Sequence, residues 1–190
     1  MAQVLAKVGF AICILAVTGM AVWYWMFSRP YCVYVDCRGQ GFDVETVKQW
    51  ERRGEQGAFG MRKVAGWRIE KQQIICCAST YRRQRAKIIC VYGAMDLVDP
   101  GDILSGRYGL AMGGDYCVLS KDLARHLFGS VQVAGEWVKM GTEKMMVAGV
   151  VDKEGDFLMR PVAEGSMEEV AVEFKGCMGA ASKVKELMRE

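Results

Sequence analysis

No feature constrains this chain more than the run from Val8 to Phe27, which carries no charged residue. At a rise of ~1.5 Å per residue, about 20 residues make roughly 30 Å of helix, the thickness of a bilayer's hydrocarbon core. Trp23, Tyr24 and Trp25 close the run, as amphipathic aromatics do where a spanning helix meets the headgroups. No second stretch of that length follows, so the expected organisation is a transmembrane anchor over 1–28 and one folded domain over 29–190. A cleaved secretory signal would end its apolar core after about 7–15 residues at a small-residue site. Gly19-Met20-Ala21 has the right sizes, but the apolar run continues through Val22 to Phe27, which favours a retained anchor. Cys13 follows Ile12, a poor residue before a lipidated cysteine. Lys7 on one side nearly balances Arg29 and Arg38 on the other. The aromatic exit and the mixed remainder favour a cytoplasmic amino terminus, which makes this a single-pass protein of the cell membrane with an extracytoplasmic carboxyl-terminal domain.

Of the 25 Lys and Arg residues only Lys7 lies in 1–27, leaving 24 against 22 Asp and Glu in the domain. That near balance argues against a nucleic-acid groove, which needs a concentrated basic face. About 160 residues can bury a sizeable core without covalent staples. Of the 8 cysteines, Cys32, Cys37, Cys76, Cys77, Cys90, Cys117 and Cys177 lie beyond the anchor. Most sit in apolar β-like runs, where a free thiol packs as a small hydrophobe. Cys32 and Cys37 are the best disulfide candidates if the compartment is oxidising.

Pro30 breaks the anchor helix, and Tyr31 to Asp36 alternates as a strand. Asp43 predicts an N-cap for a helix over Val44–Arg53 with Val44, Val47 and Trp50 inward, ended by Gly54. Phe59–Lys63 and Trp67–Glu70 read as short strands. Ile74–Ala78 and Ile88–Tyr92 read as a hairpin with the polar stretch Ser79–Lys87 at its tip. Asp99-Pro-Gly-Asp102 and Gly106–Gly114 mark loops. Tyr116–Leu119 is a strand, and Ser120 caps a short helix presenting Leu123, Ala124, Leu127 and Phe128, stopped by Gly129. A meander follows at Val131–Val133, Glu136–Met140 and Lys144–Val151, then a strand through Val170, Val172 and Phe174. Ala180, Ala181, Val184, Leu187 and Met188 form the apolar side of a closing helix. The mixture reads as α+β.

Chemistry-bearing patterns are sparse. The single histidine, His126, falls off the apolar stripe of its helix and reads as exposed. Neither Cys32…Cys37 nor Cys76-Cys77 has zinc-ligand spacing. Gly106-Arg-Tyr-Gly109 and Gly113-Gly114 lead into a strand, whereas a phosphate cradle needs a helix amino terminus. Arg82, Arg83, Arg85 and Lys87 form the one dense basic cluster, read as a solvated hairpin tip or as a contact for lipid headgroups or an acidic partner. Asp99/Asp102 and Glu168/Glu169 sit in turn or surface contexts. No catalytic residue, cofactor or metal ligand is expected.

The stretch Asp115-Tyr-Cys-Val-Leu-Ser-Lys-Asp-Leu-Ala-Arg-His-Leu-Phe-Gly-Ser130, then Val133–Gly141 and Met145–Val151, resembles the extracytoplasmic core domain of MacB-like ABC transporter permeases, whose relatives include FtsX-type proteins. Leu104-Ser-Gly-Arg107 resembles the family's Gly-Arg before this unit, and Arg160-Pro161 its later return to the first subdomain. The resemblance implies a βαβ-type, ferredoxin-like subdomain from 31–103 plus 160–190, with an inserted mostly-β subdomain at 104–159. Those permeases continue into three more spanning helices, whereas this sequence ends at Glu190 without a nucleotide-binding motif.

The expected function is therefore that of a non-enzymatic, membrane-anchored domain acting through protein–protein contacts. It would be an accessory or split subunit of an ABC-type export or signalling complex. Its partners would be the lipid bilayer, an ABC ATPase and a multi-spanning permease, with no nucleic acid, and 115–151 would be its outward docking surface. The alternative is a freestanding envelope sensor or ligand-binding module, which requires an apolar pocket with convergent polar groups. A thiol-redox protein built on Cys76-Cys77 fits less well, because adjacent strand residues point to opposite faces.

Overall fold

The computed structural model describes residues 14–24, 29–109, 115–176 and 179–188. The segment 14–24 is helical and exposed throughout, and the rest of the apolar run, with most of the expected anchor, lies outside the described residues. Among the described residues no helix is long and apolar enough to cross a membrane.

Strand β1 (Tyr31–Asp36) opens the domain. Asp43 then caps helix α1 (Val44–Glu55), its carboxylate accepting the Thr46 amide at 2.9 Å, and Val44, Val47 and Trp50 are buried as their spacing requires. The helix runs past Gly54 rather than stopping there.

Three expected strands prove to be one. Strand β2 (Met61–Cys77) spans 17 residues and absorbs Trp67–Glu70 and Ile74–Cys77, leaving Ala78 in the turn, while Phe59 lies before it in a 3-10 turn at φ 58°. The polar residues Lys71-Gln72-Gln73 look like a break in sequence. In the fold they ride a bulge between Glu70 and Gln73, where one extra residue is taken up without ending the strand. Strand β3 (Arg83–Gly93) pairs antiparallel with β2, so the hairpin turn is confined to 78–82. Arg83, Arg85 and Lys87 are consequently strand residues, a correction to their reading as a solvated tip.

Helix α2 (Met95–Val98), strands β4 (Ile103–Gly106) and β5 (Tyr116–Ser120), helix α3 (Lys121–Phe128), strands β6 (Trp137–Met140), β7 (Glu143–Val151), β8 (Phe157–Pro161) and β9 (Glu169–Phe174), and helix α4 (Ala180–Leu187) complete the chain. Val131–Val133 is not a strand; Val133 instead buries its side chain from an irregular loop. Ala181 is exposed, so the inward stripe of α4 is Ala180, Val184 and Leu187.

All the strands join one nine-stranded mixed sheet in the order β1-β9-β2-β3-β8-β5-β7-β4, with β6 bridging β2 and β7. β9 lies antiparallel between β1 and β2, which therefore run parallel and are linked by α1 as a split β-α-β unit. The structure is thus α+β with a large mixed sheet. One sheet face is covered by α1 and α4 near Tyr31 and by α3 further out, over buried Ile75, Cys77, Ile88, Leu119 and Leu158. The opposite face buries Trp67, Ile89, Val118, Val151 and Met159 beneath α2 and the segment that follows it.

Ser120 is the one fully buried polar side chain among the described residues. Its hydroxyl accepts both the Leu123 amide at 3.3 Å and the Phe157 amide at 3.2 Å, tying the start of α3 to β8. Ser120→Ala strands two buried N–H groups, and urea denaturation should show a loss of about 1–3 kcal/mol. A change within about 0.5 kcal/mol would mean that water takes over both bonds.

Candidate interaction surfaces

Two surfaces stand out, one on each side of the sheet. On the helix-covered side a groove of ≈ 550 Å³ lies between α1 and the β6–β7 turn, walled by Lys48, Tyr92, Asp115, Glu143, Arg160 and Pro161. Its charges are largely spoken for by neighbours. Arg160 pairs with Glu143, Lys48 with Glu45 at 3.2 Å, and the Tyr92 hydroxyl donates to Glu51 at 3.0 Å. Burial and that carboxylate push the Tyr92 phenol up to about 12, so it remains a donor.

On the opposite side the outer end of the sheet is bare. The bulge in β2 decides what it shows: it turns Ile75 and Cys77 into the core beneath α3 and leaves Ile74 and Cys76 on the uncovered face. Cys76 sits opposite Arg83 on β3 and Lys139 on β6, and Lys139 sits opposite Lys144 on β7. Ile74 faces Arg85, and Trp137 faces Met146. A shallow hollow of ≈ 410 Å³ runs over Ile74, Cys76, Tyr81, Arg83 and Lys139. The Lys144 ammonium lies 4.3 Å from the centre of the Trp137 ring, a cation–π contact.

The other residues singled out by sequence are dispersed. His126 is exposed, with Nδ1 2.9 Å from Asp156 Oδ1, and Asp156 also accepts from Gln84 at 2.7 Å. No serine or cysteine is joined to that pair by a hydrogen bond among the described residues. Asp99 pairs with Lys153 at 2.8 Å and Glu169 with Arg38 at 2.8 Å. Gly106 has φ 69° and packs against Ala148, and Tyr108 follows it; residues 110–114 lie outside the described residues. Cys32, Cys37, Cys76, Cys77, Cys90 and Cys117 are free thiols. Cys32 faces one side of the sheet and Cys37 the other, so this pair cannot bridge. Burial alone would raise the Cys77 thiol, but hydrogen bonds from Ser79 and Thr80 outweigh it and hold it below its ordinary value. Cys77 is nevertheless sealed from solvent, while burial pushes Cys90 up to about 12. Cys13 and Cys177 lie outside the described residues.

No protein-family model matches the sequence, and no curated protein matches it. Solved structures do. The periplasmic region of MacB from Actinobacillus actinomycetemcomitans superimposes with a TM-score of 0.65 at 13% identity, over 85% of this chain and 82% of that one. The extracellular domain of the noncanonic ABC-type transporter YknZ from Gram-positive bacteria gives 0.61 at 18%, over 85% and 91%. At such identities the likeness establishes the fold, and it is the fold that the stretch 115–151 implied.

Proposed function

We propose that this protein is a membrane-anchored, non-enzymatic extracytoplasmic domain that works by protein–protein contact within an ABC-type export or signalling complex, as an accessory or split subunit. The observation that carries the reading is the fold: the described domain follows the periplasmic region of MacB and the extracellular domain of YknZ along most of their length. The uncharged run Val8–Phe27 supplies the anchor, and its position just before β1 suits a domain held at the membrane by one end. The ferredoxin-like division of 29–190 into 31–103 plus 160–190, with 104–159 inserted, belongs to the same reading. What supports it is that β1, β9, β2 and β3 adjoin on one side of the sheet, with β5, β7 and β4 beyond β8.

A sensor or ligand-binding role gains little from the groove, since Arg160 is paired with Glu143 and Lys48 with Glu45, and it is open to solvent rather than enclosed. The test is recovery from native membranes. With a carboxyl-terminal tag and gentle solubilisation, an ABC ATPase or a multi-spanning permease should co-purify in stoichiometric amount by mass spectrometry. Recovery of the protein alone, repeated after mild crosslinking, overturns the reading.

A further inference from the structure

The bare outer face of the sheet carries a charge arrangement that the fold itself does not need. Arg83, Lys139 and Lys144 occupy one cross-strand row about Cys76, and Arg85 and Lys87 continue the same face along β3. All five are exposed, and among the described residues none pairs with a carboxylate. Glu143, the nearest acid in sequence, is turned to the other face and bound to Arg160. Lys139 and Lys144 stand directly opposite each other, an arrangement that destabilises a sheet. Around them lie Ile74 at 53%, Tyr81 at 80%, Trp137 at 38% and Met146 at 40% exposure. Outside 14–24 the only other exposed large apolar side chains among the described residues are Tyr31 and Tyr34 on β1, so the apolar exposure is concentrated here.

We propose that this face, formed by Ile74, Arg83, Arg85, Trp137, Lys139 and Lys144, docks an acidic protein segment in which carboxylates alternate with apolar side chains. Charge complementarity selects the acid, because cations held together without counter-charges gain most from a carboxylate partner. The interleaved apolar side chains select a polypeptide over a bare polyanion. A nucleic acid would need a series of open ring faces for its bases, whereas here Tyr81 stands open and one face of Trp137 is already covered by the Lys144 ammonium. Reach argues against lipid. Met61 and Tyr31 both lie level with Phe174, and β2 carries the chain from there to Cys76, roughly 50 Å at ~3.3 Å per residue. The amino-terminal run precedes Tyr31, so it enters the sheet at the end of β2 remote from this face. This inference rests on the protein-contact reading above and adds to it the surface and the chemistry of the partner.

The test uses the full chain in neutral-lipid nanodiscs and a fluorescein-labelled peptide of alternating Glu and Leu, read by anisotropy. Binding should weaken as salt rises. It should fall about tenfold or more in R83E/R85E/K139E and hold in R52E, on the exposed side of α1. Lys139→Glu alone guards against a folding artefact, since it removes the Lys139–Lys144 repulsion: its Tm should equal or exceed the parent's while its affinity drops. Equal binding by the triple variant, or tighter binding of an oligothymidine or of phosphatidylglycerol vesicles than of the peptide, overturns the proposal. The triple variant should still co-purify any ATPase or permease held through the membrane segment. Loss of peptide binding with that recovery intact is the expected result, whereas absence of recovery from the parent protein refutes the complex itself.

Discussion

Gly93→Ala should destabilise the domain by about 3–5 kcal/mol, combining a left-handed backbone penalty with a steric one. Gly93 closes β3 at φ 87°, and a Cβ there would sit 2.3 Å from the carbonyl oxygen of Val64. That oxygen accepts the Ala94 amide at 3.1 Å, so the clash falls on the bond that turns the chain from β3 into α2. Relief by a side-chain rotation is unavailable, since the obstacle is backbone belonging to β2, which is itself paired with β9 at Val64. Chemical denaturation of the purified domain measures the loss directly. A cost below about 1 kcal/mol would show that the β3–α2 turn relaxes freely.

Leu127→Ala should cost about 3–4 kcal/mol, because the side chain is fully buried and removing it leaves a cavity beneath a short helix. Its effect should also be local. The Leu127 carbonyl accepts the Thr80 hydroxyl at 2.8 Å, so α3 braces the hairpin turn at the end of β2. Amide exchange in 78–82 should accelerate more than exchange in α1, which packs on a separate core around Trp50 and Phe174. Uniform acceleration across both regions would instead mean that the sheet opens as a single unit.

Helices α1 and α3 were legible because their signals are local, whereas the four-residue α2 has no side-chain cap to announce it. Asp43 and Ser120 accept the amides three residues ahead, and Gly129 at φ 77° ends α3, as their places beside the apolar stripes predict. The long strand was not, because bulged backbone has no sequence period: Lys71-Gln72-Gln73 carries the polar composition of a turn and behaves as strand. Strand β8 escaped for the opposite reason. Phe157, Leu158 and Met159 are buried in succession between β3 and β5, which leaves no alternation to detect. The basic face was half visible. Arg83, Arg85 and Lys87 recur at the spacing of two that marks one side of a strand, yet Lys139 and Lys144 reach them only because β6 pairs with the far end of β2. That pairing joins residues some sixty positions apart, beyond any local pattern.

In mechanical terms β2 is a tie rod. Tension applied between its two ends loads its hydrogen bonds to β3, β9 and β6 side by side, in shear, so they must yield together rather than unzip one at a time. The one compliant link is the stretch around Glu70–Gln73, where β9 has ended, β6 has not begun, and the rod is braced from a single side.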